Sequence, residues 1–254
     1  MLQQTQAERV VPHFARFLKA FPTVRSCAVA APSDVVRQWS GLGYNRRALN
    51  LHRSAQAMVE RHGGAVPDDD AALRALPGIG EYTARAVRSF GFGHEVAAVD
   101  TNGMRVLARC VQGRALSTKE AMALGDRLVP SGQVWDFNQA MFDLGATVCR
   151  SRPDCAACPM RRICRWHQGG MTEPDPWRAS PSVRTQSRFD GSDRQGRGRL
   201  LDALRTRPLR RREVPAACGW PDDAARAERI TAALVDEGFA EWSGGRSGWL
   251  RLSE

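Results

Sequence analysis

Two features of this chain have the residue types and spacing for chemistry on a phosphate-linked sugar. Leu76-Pro77-Gly78-Ile79-Gly80 is a Pro-Gly-x-Gly turn between two stretches of helical periodicity, and Asp100 follows in Val99-Asp100-Thr101-Asn102. A turn of this kind carries no side chain at Gly78 or Gly80, so backbone N–H groups can meet a phosphate directly. A carboxylate one helix further on can be held over the sugar that the gripped phosphate delivers. Grip and carboxylate together fit chemistry on DNA. Taken alone, Asp100 reads as a helix N-cap, and one residue can do both.

A second constellation is Cys149, Cys155, Cys158 and Cys164, spaced C-x5-C-x2-C-x5-C. Four thiolates this close in sequence can wrap one metal centre, either an iron–sulfur cluster or a tetrahedral zinc, and the spacing does not choose between them. Arg150, Arg152, Arg161, Arg162 and Arg165 give the loop a basic face suited to phosphates. Cys27, Cys110 and Cys218 lie in apolar helical surroundings and read as buried core thiols. Seven cysteines without a secretory signal fit a reducing compartment, where metal binding is favoured over disulfides.

The elements that must position these groups are read from periodicity. The chain has 254 residues, 43% of them hydrophobic, which is enough for one or two domains with a core. Its net charge of +10 points to a polyanionic partner. Nearly all the positive charge is arginine, for Lys19 and Lys119 are the two lysines. No apolar run is long enough to span a membrane. Residues 1 to about 165 show apolar spacings of three and four, as in Val10, Phe14, Phe17 and Leu18, and no strand pattern. A helix is expected from Asp68–Asp70 to Leu76, and another over about 81–90 with Tyr82, Ala86 and Phe90 on one face. A third starts after Asp100. Residues 168–194 are rich in Pro, Ser, Gly and charge, and read as a linker. Helices at 199–205, 212–218 and 222–237 follow, then a ribbon turned at Ser243-Gly244-Gly245, a winged-helix pattern.

With these residues in view, the chain resembles the helix-hairpin-helix base-excision DNA glycosylases that carry a [4Fe-4S] cluster, most closely the adenine (MutY-type) branch. The resemblance covers about residues 1–165. Met1-Leu2-Gln3-Gln4-Thr5-Gln6 is similar to the stretch that wedges into the duplex beside the flipped base. Gly41-Leu42-Gly43-Tyr44 is similar to the loop whose tyrosine stacks near the opposing guanine. Leu76–Gly80 matches the hairpin and Asp100 the family aspartate. Asn138-Gln139-Ala140-Met141 with Asp143-Leu144-Gly145 matches the helix that leads into the cluster.

The resemblance implies a mostly α fold: a helical glycosylase domain at 1–148 with the hairpin at about 69–91, a cluster loop at 149–167, the linker, and a winged-helix-like module at 195–254. It implies that Leu2, Gln3, Gln4, Thr5, Tyr44, Gly78, Ile79, Gly80 and Thr83 contact DNA. Cys149, Cys155, Cys158 and Cys164 would hold the cluster, with zinc as the alternative. Asp100, Tyr82 and Asn102 would form the catalytic site. Breaking a C1′–N bond passes through an oxocarbenium-like state, which a carboxylate stabilises while another group protonates the leaving base. Endonuclease III-like relatives carry a lysine where Tyr82 stands, and that lysine forms a Schiff base and cuts the strand. Tyr82 therefore implies a monofunctional enzyme.

The family's proton donor is a glutamate two residues before the Met of Met-Leu-Gln-Gln-Thr, a position before Met1. The expectation is a gene start set too far downstream; otherwise the chain lacks this acid and excises adenine poorly. Two departures accompany it. The first gap between cluster cysteines is five residues rather than the family's six. The C-terminal module reads as a winged helix rather than a Nudix-like domain. The expected function is removal of adenine opposite 8-oxoguanine or guanine in double-stranded DNA, by a cytoplasmic monomer (at the nucleoid if bacterial) with no membrane contact. The alternatives are a thymine–guanine or endonuclease III-like glycosylase and a non-catalytic DNA-binding protein.

Overall fold

The computed structural model describes residues 1–180, 188–244 and 248–254. The linker and the ribbon turn expected from the sequence each lie partly outside the described residues. Those described are mostly helical with one small antiparallel sheet, as expected. They pack as two compact units. One holds Met1–Pro67, Leu76–Gly78 and the described residues from 188 on; the other holds Asp68–Ala75 and 79–180. The first unit starts with α1 (Ala7–Ala20), α2 (Val24–Ala28), α3 (Pro32–Gln38) and α4 (Arg46–His62). A reciprocal capping box of Thr23 and Ser26 opens α2, and Gly63 in the left-handed region closes α4.

The second unit holds α5 (Asp70–Arg74), α6 (Glu81–Ala86), α7 (Thr101–Val106), α8 (Thr118–Leu128), α9 (Val134–Asp143) and α10 (Arg165–Gln168). Three of these helices run on into a wider π-helical turn: α6 into Val87–Gly91, α7 into Leu107–Gln112 and α9 into Leu144–Val148. Leu107, Leu116, Ala121 and Leu124 form its core together with Trp177. Trp177 belongs to the stretch read as a linker, yet it is buried along with Asp175 and Ser180. The polar composition of that stretch hides a docked segment.

The chain then returns to the first unit with α11 (Asp193–Thr206), α12 (Val214–Cys218) and α13 (Ala224–Asp236). Three strands, β1 (Leu209–Arg210), β2 (Ala240–Ser243) and β3 (Trp249–Leu252), form an antiparallel sheet in the order β1-β3-β2. This is the winged-helix pattern, although α11 starts at Asp193, under a Ser192 cap, rather than at Arg199. Leu200, Leu204, Phe239 and Leu250 share one core with Phe17, Trp39 and Leu49. A segment of this size buries little surface by itself, and the shared core makes up the difference. Arg205 donates to the Val36 carbonyl and to Asn45, while Glu237 pairs with Arg46 and Arg197.

The approach to Asp100 is a non-helical segment with no strand beside it among the described residues, so side chains take the place of a sheet ladder. The Ala97 N–H donates to Asp126, and the Ala97 carbonyl accepts from Arg85 at 2.8 Å. Arg85 also pairs with Asp126. Asn138 accepts from the Ala98 N–H at 2.7 Å and donates to the Val96 carbonyl at 3.1 Å. The Asn138 side chain is buried, which explains the first residue of the Asn-Gln-Ala-Met motif. Asn138→Ala would strand one buried donor and one acceptor. The expected loss is about 2–4 kcal/mol of stability, read from the urea midpoint. A loss under about 1 kcal/mol would contradict this account of the segment.

Candidate active site

The hairpin joins α5 to α6. Asp69 caps α5 through the Ala72 N–H, and the turn follows at once. Gly78 has φ +76°, and a Cβ there would run into the Asn50 side chain, so glycine is required twice over. The Ser54 hydroxyl donates to the Pro77 carbonyl at 2.9 Å and fixes the turn. Gly80 is the N-cap of α6, with open space where a Cβ would stand. The first-turn N–H groups of a helix have no intrahelical acceptor, so this end presents backbone donors beside Ile79 and Gly80. Thr83 stands half-buried in that first turn.

Asp100 is both an N-cap and a candidate reacting group. Its Oδ1 accepts the Gly103 N–H at 2.7 Å, and its Oδ2 accepts from the Asn102 amide at 3.1 Å. Oδ2 keeps acceptor capacity for a cation. Asn102 in turn accepts from Arg105 at 2.8 Å, and the same guanidinium donates to the carbonyls of Gly145 (2.8 Å) and Cys149 (2.6 Å). A hydrogen-bonded path thus runs from the carboxylate to the first cysteine of the loop. Gly145 completes it, because a Cβ there would sit 2.7 Å from the Asn102 Cβ and 3.0 Å from its backbone. The glycine of the Asp-Leu-Gly motif is what lets the helix approach Asn102.

Tyr82 is half-buried, with its ring centroid 6.5 Å from that of Phe142. Burial first, and then the nearby Asp100 carboxylate, push its phenol up to about 12. The phenol therefore stays neutral, and a donor, across the physiological range.

Cys149, Cys155, Cys158 and Cys164 line one pocket together with Cys110 and Arg109. Burial is the first cause that raises the Cys155 thiol, followed by the like charges of the other three thiols. Among the described residues, no three His, Cys, Asp or Glu side chains converge as a single ion would require. Arg109 organises the loop. It forms a two-point buried pair with Asp175 (2.9 and 2.5 Å) and donates to the Arg150 and Ser151 carbonyls and to the Cys149 Sγ at 3.6 Å. Cys110, expected as a core thiol, is buried, but it lies at this pocket and not in a separate core.

The remaining residues expected to contact DNA lie in the first unit. Leu2 and Tyr44 are exposed, at 65% and 47%. Gln4 and Tyr44 both have positive φ, at 57° and 46°, a conformation held only where the surroundings enforce it. Arg47 supplies the enforcement. Its guanidinium donates to the Met1, Gln3, Leu42 and Gly43 carbonyls and to the Thr5 hydroxyl at 2.9 Å. It also lies 5.2 Å from the Trp39 ring centroid and 5.7 Å from that of Tyr44. One side chain therefore joins the Met1–Thr5 stretch to the Gly41–Tyr44 turn.

Sequence alone does not mark out Arg47, Arg105 or Arg109, and it shows Asn138 only as the first letter of a motif. Their partners are mainly backbone groups distant in sequence, and such contacts leave no spacing to read. The only available signal was a strong preference for arginine over lysine.

The first 131 residues match the model of the HhH-GPD superfamily base excision DNA repair protein family. The adenine DNA glycosylase of Mycolicibacterium smegmatis is 39% identical over 95% of this chain and 81% of its own length. A thermostable thymine-DNA glycosylase structure aligns with a TM-score of 0.60 at 29% identity, covering 66% of this chain and 80% of that one. A trapped endonuclease III–DNA covalent intermediate aligns with a TM-score of 0.60 at 25% identity, covering 66% and 81%.

Arg47→Met should free the Met1–Thr5 stretch. Amide exchange at Gln3–Thr5 is expected to rise about 10- to 100-fold, with amides of the second unit unchanged. Unchanged exchange at Gln3–Thr5 would refute the role given to Arg47.

Proposed function

Because the chain belongs to the HhH-GPD superfamily of base excision DNA repair proteins, on its adenine DNA glycosylase branch, we propose that it removes adenine paired with 8-oxoguanine or guanine without cutting the strand. It is a hydrolase of N-glycosyl bonds. The substrate is double-stranded DNA holding the mismatched or damaged pair, bound by a monomer. No helix among the described residues is long and apolar enough to cross a membrane. The DNA substrate and the free cysteines favour work in the cytoplasm.

The observation that carries the proposal is the setting of Asp100. The base must leave the stack before its bond to the sugar can be reached. The hairpin amides of Gly78–Gly80 and Thr83 grip the backbone, while Leu2–Thr5 and Tyr44 hold the duplex around the vacated position. As the C1′–N bond breaks, its electron pair leaves with the base and positive charge grows on the sugar. The Asp100 carboxylate meets that charge. Gly103 and Asn102 fix it in place, so it need not reorganise during the reaction. Water then adds to C1′ and gives up a proton, which balances the one the departing base takes up on its nitrogen. Tyr82 contributes a neutral hydroxyl and a ring beside the sugar. It has no amine to form a Schiff base, and Lys19 and Lys119 are the only lysines in the chain.

Cys149, Cys155, Cys158 and Cys164 would hold a [4Fe-4S] cluster. The four thiols line one pocket, as a centre with several thiolate ligands requires. A cluster held by these four cysteines would cross-link the loop that begins at Cys149, and the arginines of that loop would then meet the DNA backbone as a fixed set.

Single-turnover assays on duplexes with adenine opposite 8-oxoguanine, adenine opposite guanine and thymine opposite guanine test this reading. Adenine release without strand scission is expected. Asp100→Asn keeps a cap acceptor but removes the charge, and should slow release by about 10²–10³-fold with duplex affinity retained. Thymine release, or a strand break that forms with base release, would overturn it.

A further inference from the structure

The winged-helix segment holds a groove that the glycosylase chemistry does not use. It measures about 720 Å³ and lies between the Arg210–Arg212 turn, the start of α12, one face of α13 and Trp242. Its floor is small and apolar, with Pro215, Ala224, Ala227 and Ala232. Its rim is basic. Arg210, Arg211 and Arg212 are consecutive and exposed.

Two of the three guanidinium groups lie over indole rings. Arg210 is 4.9 Å from the Trp249 ring centroid and Arg211 is 4.4 Å from that of Trp242. The register of the sheet sets the first stack, since Arg210 stands opposite Trp249. A guanidinium held flat on an indole keeps its N–H edge free and loses little freedom when an anion docks there. Arg212 has no hydrogen bond or ion pair among the described residues. The acids nearby are accounted for. Glu213 is held by Arg207 and by the Arg210 N–H. Glu228 pairs with Arg211 at 2.5 Å, but both side chains are more than half exposed, so a phosphate can replace the carboxylate.

In a winged helix the third helix is the usual reader of bases. Here α13 is flanked by Asp222 and Asp223 at one end and by Asp236 and Glu237 at the other, which disfavours that use. We propose instead that the Arg210–Arg212 rim and its two tryptophans form a second DNA contact, one that takes backbone phosphates without reading sequence. The small side chains along α13 let the strand come close. An acidic protein segment is the competing occupant, and the chain's surplus of 10 positive charges on a DNA-acting enzyme favours the nucleic acid.

The test uses the full chain with Arg210, Arg211 and Arg212 all changed to alanine, and undamaged duplex as the probe. Binding should weaken about tenfold or more near 0.1 M salt, and the slope of log K against log salt should fall by about 2–3. Single-turnover excision at saturating enzyme should be unchanged, which separates this proposal from the one about the catalytic site. The all-lysine variant keeps the charge and should restore most of the slope. A loss no larger than that from the same charge removed at Arg9, Arg16 and Arg127 would overturn the proposal. So would polyglutamate binding that depends on the three arginines while duplex binding does not.

Discussion

The structure depends on one buried cation, Arg105, which has no carboxylate in direct contact among the described residues. Its fork is divided among the Asn102 side chain, the Gly145 carbonyl and the Cys149 carbonyl. Those acceptors come from the start of α7, the π-helical turn after α9 and the first position of the cysteine loop. A planar group with donors at fixed angles suits acceptors spread in this way, whereas a lysine ammonium presents its three donors from a single point. Asn102 then passes the constraint to Asp100. The Asp100 carboxylate is held both by its own helix, through the Gly103 N–H, and by a hydrogen-bonded path anchored in the loop.

The same device recurs. Arg109 ties Asp175 to the Arg150 and Ser151 carbonyls, and Arg47 ties Met1–Thr5 to the Gly41–Tyr44 turn. Each places a guanidinium among backbone oxygens that would otherwise be poorly satisfied. This gives the scarcity of lysine a structural meaning besides the chemical one. The basic composition suggests a polyanion, yet three of the arginines that matter most at the site face inward and hold loops in shape.

What could be read in the sequence was whatever is local. The Pro-Gly-x-Gly turn, the Asp100 cap and the cysteine spacing are short patterns with a direct physical meaning. Gly145 and Asn138 could be recognised only as motif letters. Their reasons, a close approach to Asn102 and a side-chain substitute for a strand, depend on contacts across about 40 residues. The burial of Trp177 and Asp175 was hidden by a polar, proline-rich context. The C-terminal helices were legible as a pattern, but not the core they share with Phe17 and Trp39, because amphipathic periodicity shows that a face is buried and not what buries it.

The central claim is that Arg105 positions Asp100 through Asn102. The most direct test is single-turnover excision by Arg105→Lys, which keeps the charge but loses the planar fork, with Arg105→Met beside it. Both variants should lose about 10²-fold in rate while duplex affinity stays near that of the parent. A rate within about twofold of the parent in the lysine variant would show that the carboxylate is held without this fork, and the account would fail.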